Sequence, residues 1–150
     1  MLSPILLLSL ALAVEIGSLQ LQRQRLVSAL DQSVVVASAT AALAGVAAQL
    51  DPQVATDAVR TSLAENLTPL TAILAGVSPL EVARGADVIV VTNVPSSDPL
   101  GGGRVLTHPT IVARIFAPVK TGLLAAAGLP STTILTLTAR ADLSFTGAGT

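Results

Sequence analysis

The chain opens on an unbroken apolar stretch. Met1 to Val14 reads MLSPILLLSLALAV and carries no charged side chain. Glu15 interrupts the stretch, and Ile16, Gly17, Ser18, Leu19 and Leu21 extend it as far as Arg23 and Arg25. As a helix, the run to Val14 covers about 21 Å, short of a hydrocarbon core of roughly 30 Å. Counted through Leu21, the segment is long enough to cross, and a transmembrane anchor over residues 1–21 is the preferred reading. That reading requires Glu15 to be protonated or partnered, because a lone carboxylate in lipid is costly. Two alternatives stand beside it. Ala11-Leu12-Ala13 fits the small-x-small pattern of a signal peptide cut after Ala13, and a buried helix of a soluble protein is the third reading. Arg23 and Arg25 follow the run and nothing basic precedes it, so the positive-inside rule taken alone would place the carboxyl side in the cytoplasm. A head outside the cytoplasm implies a basic leader upstream of the run.

Beyond the anchor the helical pattern continues. Between Ile16 and Leu50 there is no proline, and Gly17 and Gly45 are the only glycines. Apolar residues recur at Leu19, Leu26, Leu30, Val34, Ala37, Ala41, Ala44 and Ala48, mostly three or four apart, which is one face of a helix. The other side carries Gln20, Gln24, Arg25, Asp31 and Gln32. Residues 22–50 therefore extend the anchor into a rod of about 60–70 Å at 1.5 Å per residue. Such a rod should project from a small domain, or pack on copies or partners. Its later half is built of Ala, Ser, Thr and Gly, residues that admit close helix packing.

Residues 51–150 read as a small α/β domain. Asp51-Pro52 is a helix start, with Asp as cap and Pro at the first helical position. The helix should run to about Ala75 with Gly76 ending it, Pro69 disturbing its last turn, and Val54, Ala58, Leu63 and Leu67 on its apolar side. Asp87–Val94 is short and β-branched, hence a strand. Pro95 to Gly103 (PSSDPLGGG) reads as a mobile loop. Val105–Phe116 contains a second strand, strongest from Thr110. Leu123–Ala127 suits one helical turn, and the alternating stretch Thr132–Phe145 is the clearest strand. The expected architecture is α+β: a long N-terminal, pilin-like transmembrane helix, a second helix and a small three-stranded antiparallel sheet.

Composition narrows the function. The chain is 51% hydrophobic, yet Phe116 and Phe145 are its only aromatic residues. Eight basic against nine acidic groups leave a net charge of −1. Neither a basic patch nor an aromatic platform is available for nucleic acid. Without cysteine, disulfides, thiolate metal sites and cysteine nucleophiles are excluded. His108 stands alone just before Pro109, and no GxSxG motif accompanies it. The carboxylates are scattered rather than spaced as metal ligands. Gly101-Gly102-Gly103-Arg104 lacks the GxxxxGK[ST] arrangement that cradles phosphate. Asn66-Leu67-Thr68 fits a glycosylation sequon. The expectation is a non-enzymatic protein with no cofactor, no metal and no small-molecule substrate.

The segment from Leu12 to Gly45 (LAVEIGSLQLQRQRLVSALDQSVVVASATAALAG) resembles the amino-terminal helix of the TadE/TadG-like pseudopilins of bacterial tight-adherence, or Flp-type, pilus assembly. The likeness lies in Glu15-Ile16-Gly17 after an apolar stretch, the polar turn Gln20 to Arg25, and the Ala-rich continuation Ala37 to Gly45. The tail is similar too, with Ala117-Pro118-Val119, the link ending Gly128-Leu129-Pro130 and a last Thr-rich strand. The resemblance implies a minor pilin-like structural or assembly component, anchored in the cell membrane with its domain outside the cytoplasm. Its implied partners are other pilin-like subunits or pilus and secretion machinery. Its implied assembly and helix-packing residues are Glu15, Gly17, Ala37, Ala41, Ala44 and Gly45, with Glu15 neutralising the terminal amine of a neighbouring subunit or snorkelling at the interface. The sequence departs from the family in its processing site. With Glu15 as the fifth mature residue, Leu10 rather than Gly precedes the cut.

Overall fold

The computed structural model describes residues 4–44, 51–126, 128 and 130–143. One helix, α1 (Pro4–Ala44), runs for 41 residues, about 60 Å. Its two ends differ in what surrounds them. From Leu26 onward Leu26, Ala29, Leu30, Ser33, Val34, Ala37 and Ala41 are buried, recurring every three or four residues. Gln20, Gln24, Arg25, Asp31 and Gln32 stay exposed. The distal half of α1 is thus a core helix of the domain rather than a free extension. Two of its small residues pack inside the chain: Ala37 and Ala41 share one core with Ala55, Val59 and Leu63.

The second helix, α2 (Pro52–Leu67), starts as the sequence dictates. The Asp51 carboxylate accepts the Gln53 N–H at 2.8 Å, and proline occupies the first turn. Its buried face is Ala55, Val59, Leu63 and Leu67, a strict four-residue spacing that lies along α1. Leu63 and Leu67 are buried as expected, while Val54 is on the solvent side and Ala58 is half-buried, so the stripe sits one residue away from the expected one only in its first half. The helix also ends early. Pro69 has no N–H to continue the ladder, and a 3₁₀ segment (Thr68–Ile73) replaces the last turns expected up to Ala75. Leu74 then bridges to Val119, and the Ala75 N–H donates to the Pro118 carbonyl at 2.9 Å. Gly76 turns the chain with φ of 73°, a conformation open to glycine.

A short helix, α3 (Pro79–Arg84), follows. Ser78 Oγ accepts the Glu81 N–H, and the Glu81 carboxylate accepts the Ser78 N–H at 2.8 Å, a complete capping box. The Ser78 N–H first, and then the Ser78 hydroxyl donating to the same carboxylate oxygen at 2.7 Å, hold the Glu81 carboxyl below its ordinary value. Folding therefore gains from the Glu81 charge above the ordinary carboxylate pKa, and the gain fades as pH falls through the lowered one. In Ser78→Ala the Glu81 carboxyl should titrate closer to its ordinary value, as read by NMR of its side-chain carbon.

The sheet has strand order β1 (Asp87–Val91), β4 (Thr110–Lys120), β5 (Thr132–Asp142), all antiparallel. The first strand stops at Val91, short of Val94, and the last at Asp142; Phe145 lies outside the described residues. The expected second strand is divided into β3 (Val105–Leu106) and β4. Ile111, Ala113, Ile115, Ala117 and Val119 of β4 alternate onto the inner face and meet both helices in the core with Leu137, Ala139 and Ala141 of β5. Pro118 lies beyond Arg114, where β1 no longer pairs with β4; there its carbonyl accepts the Ala75 N–H, and the missing N–H costs one bond of a short bridge rather than of a full ladder. The result is an α+β fold with a long N-terminal helix, a second helix and a small three-stranded antiparallel sheet.

The PSSDPLGGG stretch is not a plain loop. It forms a two-stranded ribbon, β2 (Ser96–Ser97) against β3, across the outer face of the sheet. Gly101, Gly102 and Gly103 all have positive φ, so the glycine run serves a turn. Asp98 ties the ribbon down: its side chain is fully buried, accepts the Leu100 N–H at 2.9 Å and accepts Arg140 Nε from β5 at 2.6 Å. Arg140→Met leaves that carboxylate buried and unpaired, at an expected cost of about 1–3 kcal/mol. Denaturant unfolding should show the loss, hydrogen exchange should rise across the ribbon, and adding Asp98→Asn should restore part of the stability.

Candidate functional site

The proximal third of α1 carries the feature that the domain itself does not use. Leu6, Leu7, Leu8, Leu10, Leu12, Val14 and Ile16 are 48–62% exposed. Because residues 6, 7, 8, 12 and 16 fall at about 0, 100, 200, 240 and 280° around the axis of a helix, the rod is apolar all round. A helix of that kind in water leaves a large apolar surface uncovered. By length and composition α1 is able to cross a membrane between Leu6 and Ala41.

Glu15 marks where the rod meets the domain. It is only 5% exposed, the first buried side chain among those described along α1. Its carboxylate accepts the Leu123 N–H at 3.0 Å. Leu123 lies in the first turn of α4 (Gly122–Ala126), the short helix between β4 and β5. The carboxylate thus satisfies an N–H that a helix start leaves without an intrahelical partner. Within this chain Glu15 has a partner that neither expectation for it named. One turn further, Leu19 is half-buried against the core, and Ile16, Leu19, Gln20 and Arg23 line a shallow groove with Leu135 of β5. The domain begins to grip α1 at Glu15, before the expected anchor boundary at Leu21.

The other implied assembly residues are not gathered into one patch. Gly17 is exposed, with no atom within 4 Å of the place a Cβ would take. Ala37 and Ala41 are core residues. Ala44 closes α1, and Gly45 lies outside the described residues. Sequence reasoning missed Leu123. Its link to Glu15 spans 108 positions, and no local pattern reports it.

Several chemistry-bearing side chains elsewhere have structural partners. His108 is exposed and bonds Thr107 Oγ1 at 3.1 Å. Asn66 of the sequon points inward, donating to Ser33 Oγ of α1 at 2.9 Å, and Ser33 in turn donates to the Ala29 carbonyl. Arg114 pairs with Asp87 across the sheet at 2.7 Å and lies over the Phe116 ring at 5.4 Å. Among the described residues no three His, Cys, Asp or Glu side chains come close enough to hold a metal ion. Compared with known proteins, the chain matches no family model, no curated protein and no solved structure.

Proposed function

We propose that the chain is a non-catalytic, membrane-anchored structural component of an envelope assembly, of the pilin-like kind that its TadE/TadG-like helix and tail suggest. The observation that carries the reading is the single continuous helix whose proximal part is apolar on all sides while its distal part is core. A rod built this way holds a head at fixed height and angle above the surface it leaves, because no hinge separates anchor from domain. Proline is absent from α1 beyond Pro4, so nothing in its interior breaks the ladder. The described part of the head offers a framework of tied loops, in keeping with a scaffolding role. Its expected place is the cell membrane, single-pass, with the head outside the cytoplasm and pilin-like subunits or secretion machinery as partners.

The test is cross-linking of the tagged full-length chain in its native envelope, followed by identification of what is joined to it. Fibre subunits or secretion-apparatus proteins are expected. Recovery of the chain alone, or with an unrelated single-span complex, contradicts the assembly role.

A second reading is a secreted small binding domain released by cleavage after Ala13. It is favoured by the same exposure: Leu6 to Leu10, Leu12 and Val14 are not covered by the head, so removing what precedes Val14 spares the core. The mass of the mature chain separates the two readings, since only the anchored form keeps its apolar run.

A further inference from the structure

We infer that α4, latched by Glu15, seats the head on the lipid surface through Leu123 and Ile134. This rests on the membrane reading above and adds where the head lies once the rod is inserted.

Three observations converge on the corner where α4 meets α1. First, α4 is level with Glu15, the first buried side chain among those described along α1, because the Glu15 carboxylate holds the Leu123 N–H. Second, Leu123 is 42% exposed, and Ile134, near the start of β5, is the most exposed of the large apolar side chains described at 66%. Ile134 pairs with Pro118 at the same end of the sheet, and its neighbour Leu135 lines the groove with Ile16 and Leu19. Because side chains alternate along a strand, Ile134 faces away from α1 while Leu135 faces it; Leu123 and Ile134 are thus exposed on two sides of one end of the head, the end at which the Glu15 carboxylate is turned inward. Third, Lys120 stands exposed two residues before α4, and Arg23 is exposed on the groove nearby. Cations at that height meet the phosphates of lipid headgroups, while long side chains of this kind lay their stems along apolar surface.

Apolar side chains beside an inserted helix and level with its exit sink about 5–10 Å into the boundary between headgroups and acyl chains. The Glu15 latch then serves two ends. It fixes the tilt of the head, and it withdraws from lipid contact the one carboxylate of the proximal rod. A second copy of the chain covering the same corner is the competing occupant.

The natural chain has no tryptophan, so one introduced indole reports one position. The full chain is reconstituted in vesicles of phosphatidylcholine and phosphatidylglycerol carrying dibrominated acyl chains, and fluorescence quenching is read for Leu6→Trp, Leu123→Trp, Ile134→Trp and Val105→Trp. Leu6 lies about 13 Å beyond Glu15 along the helix and reports the anchor; Val105 is exposed on the distal ribbon. Leu123→Trp and Ile134→Trp should each lose emission about twofold with bromines placed near the headgroups, as expected for interfacial depth. Val105→Trp should be unaffected, and Leu6→Trp should respond most to deep bromines. Quenching at Leu6 with Leu123 and Ile134 behaving like Val105 overturns the seating and leaves the anchor standing. No quenching at Leu6 removes the anchor itself. Blue-shifted emission at Leu123 and Ile134 that depends on protein concentration, without bromine quenching, assigns the corner to a second copy instead.

Discussion

Leu8→Arg combined with Leu10→Arg is expected to release the chain from the membrane fraction while leaving the head folded. Both side chains project away from the core, at 62% and 58% exposure, so no packing is lost. In lipid each arginine near the centre of an inserted helix costs about 2.5–3.5 kcal/mol. Two together shift the partition by about a thousandfold or more. The thermal midpoint of the head should stay within the error of the unsubstituted chain, because surface changes of this kind usually move stability by less than about 0.5 kcal/mol. The paired outcome is diagnostic. Loss of membrane association with an intact head fits an anchor, whereas unchanged fractionation would mean that these leucines meet something other than lipid.

The second large effect lies at the other end of the same helix. Leu30→Ala should destabilise the head by about 2–5 kcal/mol, the range for opening a cavity at a buried leucine. Leu30 is fully buried on the face of α1 that meets the core. Val35→Ala, on the opposite side at 56% exposure, serves as the control and should change little. Against a total stability of about 5–15 kcal/mol for an ordinary domain, the first substitution removes a large share. Denaturant unfolding of the full chain in detergent reads both. A projecting rod would make the two substitutions equally harmless, and that result would separate α1 from the domain.

These two predictions reflect how unevenly the chain disclosed its structure. The stripe through Leu26, Leu30, Val34, Ala37 and Ala41 was legible because helical periodicity repeats over many turns. Its destination was not. A stripe of small apolar residues fits a partner helix as well as a sister helix, and only the return of α2 along it shows that the chain fills the space itself. The Asp51-Pro52 start was readable from local chemistry, and β5 from alternation. The end of α2 was placed too late because the consequence of Pro69 depends on whether the following residues find other partners. Here Leu74 and Ala75 find Val119 and Pro118. The helix α3 is six residues long, too short for periodicity to signal. The ribbon of β2 and β3 has two residues on each side, and what holds it is Asp98 reaching Arg140, 42 positions away.

The same contrast governs the site. The interruption of an apolar run by Glu15 flagged that residue at once, since a carboxylate there demands compensation. What compensates it came from the far end of the chain, through the α4 amide. An assembly patch was expected along Gly17, Ala37, Ala41 and Ala44. Residue type pointed to close packing, and at Ala37 and Ala41 close packing is what the core contains. The partner in that packing is α2.

The most direct test of the central claim is fractionation of the native, unsubstituted chain with the mass of its amino terminus determined in each fraction. The account predicts a chain that resists alkaline extraction from membranes and still bears Leu6 to Val14. A chain found in the aqueous fraction with that run attached would contradict it, and so would a soluble product beginning at Val14.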